Sequence, residues 1–163
     1  MPDTAPHRIA VLDRHFLLRH LGPSERTELL SRARFERYAA LQKIFCKGDA
    51  ETGMMAVLSG RIKLSSVSRD GKELLFDILD RGRIFGEIAL LDGKPRSHDA
   101  TALEASEVLV LRRQDFLPFL ASRPDICIRF MEALCERLRR TDEMVEDTLL
   151  GLSPRLAKRL LRL

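Results

Sequence analysis

Between about Ala39 and Leu111 glycine recurs at short intervals, at Gly48, Gly53, Gly60, Gly71, Gly82, Gly86 and Gly93. The segments between these breaks are too short for helices and rich in β-type residues. They include Lys43–Cys46, Met55–Leu58, Arg61–Ser65, Glu73–Ile78 and Val108–Leu111. Asp70-Gly71 between two such runs is a hairpin signal, because both residues tolerate the positive φ that a tight turn needs. Many short strands with regular turn punctuation predict a small β sandwich or barrel. The repetition is one of strand and turn spacing; no sequence repeat accompanies it.

Helical patterns flank this zone. The first zone runs to about Tyr38 and reads as helical: Phe16, Leu17, Leu18 and Leu21 form an apolar patch, and Gly22-Pro23 breaks it. Ser24 is expected to cap a second helix, with Glu25 in its first turn and Leu29 and Leu30 on its buried face, ending near Arg34. On the other side, Asp115 to Ala121 reads as a short helix, and Pro124 marks the start of a long one. Along the long helix Cys127, Met131, Leu134, Leu138, Thr141, Val145 and Thr148 alternate in steps of four and three, a heptad seam with charges on the other faces. Such a seam fits a self-associating coiled coil as well as a helix packed on its own domain. Gly151 and Ser153-Pro154 break the pattern, and Arg155–Leu163 begins another helical run with no end signal, so a continuation beyond Leu163 is expected.

Composition removes several classes. At 163 residues the chain suits one domain with a small appendage, and 45% hydrophobic residues are enough for a core without disorder. The formal net charge of +4 permits a nucleic-acid or phosphate partner without demanding one. No apolar run approaches the ~18 residues of a membrane span. The three cysteines, Cys46, Cys127 and Cys135, are too few for a disulfide framework and fit a reducing, cytoplasmic setting. The N-terminus lacks a secretory signal pattern. His7, His15, His20 and His98 are scattered, with no metal-ligand spacing. No Gly-x-Ser-x-Gly, P-loop or dinucleotide fingerprint occurs, so no catalytic residue, metal or cofactor is expected.

Chemistry concentrates in Phe85–Ser97. Gly86 lets a ligand approach the backbone, and the amides of the following turn can bind phosphate. Lys94-Pro95 turns the chain back and presents Arg96, a planar fork matched to phosphate oxygens, with Ser97 adding a hydroxyl donor. Glu87 is an acceptor and should prefer hydroxyls, such as those of a ribose. Together they sketch a sugar-phosphate pocket; a surface turn with a Glu–Arg pair is the plainer reading of the same residues.

Phe85 to Leu103 closely resembles the phosphate-binding cassette of cyclic nucleotide-binding domains, most like that of the catabolite-activator/FNR (CRP/FNR) family of bacterial transcription regulators. Glu36 to Leu64 resembles the family's opening strands, with Gly48-Asp49 and Leu58–Ile62 in place. Glu107–Leu111 with Asp115-Phe116 is similar to its last strand and following helix, and Arg137–Thr141 to the centre of its dimerisation helix. The resemblance implies a mainly β fold, a double-stranded β-helix or jelly-roll-like β-roll with flanking helices and a long C-terminal dimerisation helix. It divides the chain into the N-terminal helices and roll (1–122), the dimer helix (123–150) and the start of a winged helix-turn-helix (151–163), whose DNA-reading remainder lies outside this sequence. It implies Gly86 and Glu87 at the ribose, and Arg96 and Ser97 with amides near Ile88 and Ala89 at the cyclic phosphate. Thr141 would face the base, with Arg137 one turn earlier on the phosphate side. The expected ligand is cyclic AMP ahead of cyclic GMP, sensed by a homodimer that is not an enzyme. The iron–sulfur sensing of the FNR branch needs clustered N-terminal cysteines, absent before Cys46. His98, Asp99 and Asp142 depart from the family pattern, which favours a small residue after Ser97 and Ser or Thr after Thr141. They leave open a degenerate or stand-alone module that takes another ligand or serves as a dimerisation platform.

Overall fold

The computed structural model describes residues 21–50 and 52–149. The expectations for Phe16–Leu18 and for 151–163 lie outside them. The chain divides into two compact units, up to Pro124 and from Asp125 onward.

The first unit is built from two four-stranded antiparallel sheets. Strands β1 (Arg34–Tyr38), β3 (Met54–Ser59), β6 (Ile84–Phe85) and β8 (Ser106–Leu111) form one sheet in the order β1-β8-β3-β6. Strands β2 (Lys43–Phe45), β4 (Ile62–Val67), β5 (Glu73–Leu79) and β7 (Asp99–Ala102) form the other in the order β2-β7-β4-β5. Apart from the β4–β5 pair, hydrogen-bonded neighbours are strands far apart in sequence, which makes the unit a jelly-roll-like β-roll. Its core takes Met55 and Val57 from β3, Ile62 and Leu64 from β4, Leu79, Phe85, Ala100 and Ala102, and Val108 and Val110 from β8. The period-2 spacing of these residues follows from the pleat, which sends alternate side chains to one face. Each large apolar side chain fully buried there is worth about 1.5–3 kcal/mol.

The hairpin expected at Asp70-Gly71 joins β4 to β5. Ser68 N–H donates to Lys72 O at 2.9 Å, and Gly71 N–H donates to Ser68 O at 3.0 Å. Gly71 has φ +80. It is the left-handed residue that closes a three-residue loop, rather than the second residue of a two-residue turn.

The helices flanking the roll are α1 (Pro23–Ser31), α2 (Glu87–Asp92) and α3 (Arg113–Ala121). Two expectations are corrected at α1. Its N-cap is Gly22, not Ser24: Pro23 takes the first helical position, where its missing N–H costs nothing, and the Glu25 carboxylate accepts from Gly22 N–H at 2.9 Å. The helix also stops at Ser31, and Arg34–Tyr38 is strand rather than a continuing helical zone. Five consecutive partners on β8, from Arg34↔Val110 to Tyr38↔Ser106, supply the ladder; pairing across the fold overrides a weak local pattern. Arg123, just past α3, ties α1 down through Glu28 at 2.6 Å and Glu25 at 3.3 Å.

The second unit carries α4 (Pro124–Leu149), a continuous helix. Met131, Leu138 and Val145 of the heptad seam are exposed on it, as are Ile128 and Met144.

Candidate functional site

The two residues with the strongest chemistry in the cassette are buried: Glu87 is 4% exposed and Arg96 3%. A buried charge needs dedicated partners, and those of Arg96 can be followed outward from its backbone. Arg96 N–H donates to Asp49 O at 2.9 Å, and Gly48 N–H donates to Arg96 O at 2.8 Å. That pair of bonds pins the residue to the loop after β2. The side chain then runs over the Phe45 ring, with the guanidinium carbon 4.3 Å from the centroid, a cation–π contact. Its Nη1 donates to Gly86 O at 3.1 Å, and Nη2 donates to Thr52 Oγ1 at 3.0 Å.

Gly86 is the hinge of the arrangement. It has φ +78, and a Cβ there would lie 2.5 Å from Arg96 Nη1 and 3.2 Å from Gly53 O. Only glycine combines that conformation with so close an approach. It serves as N-cap of α2, whose first i to i+4 bond is Leu90 N–H to Gly86 O at 3.3 Å. The amides of Glu87, Ile88 and Ala89 therefore have no acceptor within the helix, the ordinary condition of a first turn. One carbonyl, that of Gly86, thus receives both the cassette helix and the arginine. At the far end of α2, Arg113 Nη1 donates to the carbonyls of Leu90 and Leu91, which fixes the helix from α3.

Of the residues read from the sequence, Gly86, Glu87, Ile88, Ala89, Arg96 and Ser97 thus belong to one continuous cassette between β6 and β7. Ile88 and Ser97 face solvent, while Ala89 is buried. Ser97 Oγ lies 2.8 Å from His98 Nδ1. The Asp99 carboxylate accepts the Lys47 backbone N–H at 2.7 Å and so has a structural partner. Arg137 and Thr141 lie one turn apart on α4, in the second unit, with Thr141 Oγ1 donating to Arg137 O at 3.1 Å.

Sequence reasoning missed Phe45, Thr52 and Arg113. Phe45 carried only a strand signal and Arg113 was one more surface-type charge. Thr52 gave none at all, since its partner lies 44 residues on. Close by, Tyr38 O–H donates to Glu36 Oε2 at 2.5 Å. Burial, with the Glu36 hydrogen bond and charge, pushes the phenol well above the usual tyrosine range. Among the described residues no cluster of His, Cys, Asp and Glu could hold a metal, and no helix is long and apolar enough to cross a membrane.

The pattern of the cyclic nucleotide-binding domain matches residues 35–123. The chain belongs to this family, in its CRP/FNR branch. It is 31% identical over 121 residues to the CRP-like cAMP-activated global transcriptional regulator of Mycobacterium tuberculosis, covering 74% of this chain and 54% of that protein. To the cyclic AMP receptor protein of Thermus thermophilus it is 33% identical over 126 residues, covering 77% and 58%. The crystal structure of the N-terminal domain of a transcriptional regulator from Streptomyces coelicolor A3(2) superposes with a TM-score of 0.68 at 30% identity, covering 88% of this chain and 97% of that one. The chain spans just over half the length of the two curated relatives. The family is one of regulators, not enzymes, and its cyclic nucleotide-binding domain covers the roll and the cassette described above.

Proposed function

We propose that this chain is the effector-sensing and dimerisation part of a CRP/FNR-type DNA-binding transcription regulator, and that its effector is cyclic AMP. The observation that carries the reading is Arg96: a buried guanidinium held against Phe45, Thr52 and the Gly86 carbonyl, beside a helix start whose amides lack helical acceptors. A monoanionic cyclic phosphate suits that pairing of fixed cation and backbone donors. In this reading Arg96, Ser97 and the amides of Ile88 and Ala89 hold the phosphate, and Gly86 and Glu87 meet the ribose. Thr141 and Arg137, both on α4, are the residues that the family resemblance assigns to the base and to the phosphate side. Relatives named as a cAMP-activated transcriptional regulator and as a cyclic AMP receptor protein support cyclic AMP over cyclic GMP.

The roll and its helices (1–122) bind the ligand, the segment 123–150 that contains α4 pairs two copies, and 151–163 lead toward a winged helix-turn-helix that reads DNA in the longer protein. Leu138, 61% exposed on α4, belongs to the apolar seam that a second copy would cover. The free thiols Cys46, Cys127 and Cys135 suit a cytoplasmic setting. Ligand binding acts as a switch only by favouring one arrangement of the paired helices over another.

Calorimetric titration with cyclic AMP and cyclic GMP tests the ligand. Micromolar binding of cyclic AMP, about 8 kcal/mol, lost in Arg96→Ala, is expected; silence with both nucleotides refutes the assignment and favours the dimerisation-platform reading. Sedimentation should find a dimer that Leu138→Glu weakens.

A further inference from the structure

His98 stands where the family pattern has a small residue, and the structure gives it a definite place. Its ring meets Phe76 of β5 edge-on, with centroids 4.3 Å apart and planes at 71°. Nδ1 is turned toward Ser97 Oγ at 2.8 Å. Ser97 is exposed and follows Arg96 directly, at the phosphate end of the cassette.

A serine hydroxyl has one proton to donate. When Nδ1 carries a lone pair it takes that proton, and Ser97 is left an acceptor toward its ligand. A phosphate oxygen is also an acceptor, so the two do not pair. When Nδ1 carries a proton it donates to Ser97 Oγ, and the hydroxyl proton is released for phosphate. A neutral imidazole meets that condition in only one of its two tautomers. The imidazolium always meets it, and adds a positive charge beside an anion.

We propose that His98 is a positioning residue of the phosphate site: its protonation turns Ser97 into a donor toward the phosphate, so that nucleotide affinity rises as pH falls. The inference rests on the nucleotide reading of the cassette given above. Charged residues on the segments that carry His98 and Phe76 have partners of their own. Arg96 lies over Phe45, and Asp99 takes the Lys47 N–H. On β5, Asp77 next to Phe76 pairs with Arg83 at 2.7 Å, and Glu73 pairs with Lys63 of β4 at 2.6 Å. Histidine is the side chain whose ordinary titration falls between pH 5 and 8. The sign follows from linkage: a ligand that prefers the imidazolium raises its pKa on binding. Each unit of that rise makes the low-pH affinity about tenfold higher than the high-pH affinity.

The test is calorimetric titration of the whole chain with cyclic AMP from pH 5.5 to 8.0, for the wild type, His98→Ala and His98→Asn. The wild type should bind about tenfold more tightly at the acid end. His98→Ala should show no slope, since nothing competes for the Ser97 proton; neither should His98→Asn, whose amide N–H can donate to Ser97 at every pH and so keeps its hydroxyl a donor toward phosphate. In the wild type, the His98 ring resonance followed by proton NMR should titrate at higher pH with nucleotide bound. A flat wild-type profile, an unshifted ring titration, or a slope that survives in His98→Ala overturns the inference alone. No binding by any of the three proteins at any pH overturns the nucleotide reading as well.

Discussion

Gly86→Ala tests the joint between the cassette helix and its arginine, and Gly71→Ala is its internal control. Both glycines have a φ near +80, but an added Cβ at Gly71 meets nothing within 4 Å, whereas at Gly86 it meets Arg96 Nη1 at 2.5 Å. Both variants incur the left-handed penalty of a residue with a Cβ, about 1–2 kcal/mol. Only at Gly86 must the guanidinium also retreat, by about 1 Å if it is to reach ordinary contact distance. That movement breaks the 3.1 Å bond from Nη1 to Gly86 O, and a hydrogen bond to a charged group is worth about 1.5–3 kcal/mol. Gly71→Ala should therefore lower stability in urea denaturation by about 1–2 kcal/mol and leave cyclic AMP affinity untouched. Gly86→Ala should cost about 2.5–5 kcal/mol and weaken the nucleotide at least about tenfold, or 1.4 kcal/mol, by calorimetry. Equal losses of stability in the two variants, with wild-type affinity in Gly86→Ala, would refute the claim that Gly86 is required by Arg96.

Two further outcomes follow from the first unit alone. The sequence holds a single tyrosine, Tyr38, whose phenol is pushed up by burial and by Glu36. Tyrosinate absorbance should be missing at pH 10.5 in the folded protein. Because the folded state holds this proton more tightly than the unfolded chain, the contribution to stability is full below about pH 10 and declines as pH rises above it. Half-ionisation near pH 10 in the native state would contradict the burial. Arg123→Met keeps an apolar stem over Phe119, where the guanidinium carbon now lies 4.3 Å from the ring centroid, but removes the ion pairs to Glu25 and Glu28. It should cost about 1–2 kcal/mol, more than an isolated surface pair because two carboxylates lose one partner. An unchanged thermal midpoint would show that α1 is held by packing alone.

The turns and most strands of the roll were legible because they are local. Asp70-Gly71 announces its hairpin through the φ its own residues tolerate, and Met55–Leu58 or Glu73–Ile78 announce strands through their own side chains. Gly86, Glu87, Arg96 and Ser97 could be grouped from the sequence because they lie in one short segment that resembles the family's cassette, and that segment runs without a break between β6 and β7. Strand β7 was not legible: Asp99-Ala100-Thr101-Ala102 has little strand character, and it becomes a strand because β2 and β4 pair with it on either side. The residue pattern up to about Tyr38 gave no strand signal for β1 either, and only the resemblance from Glu36 onward pointed to one, because its ladder lies on β8.

The environment of Arg96 was out of reach too. An arginine in a turn rich in glycine, lysine and proline reads as a surface charge. Its burial comes from Asp49, Thr52 and Phe45, which the roll brings back onto it from far along the chain. Backbone preference acts over a few residues and can be read from them. Burial and the closing of hydrogen bonds depend on which distant segments arrive at the same place, and here that depends on how the two sheets pair and pack.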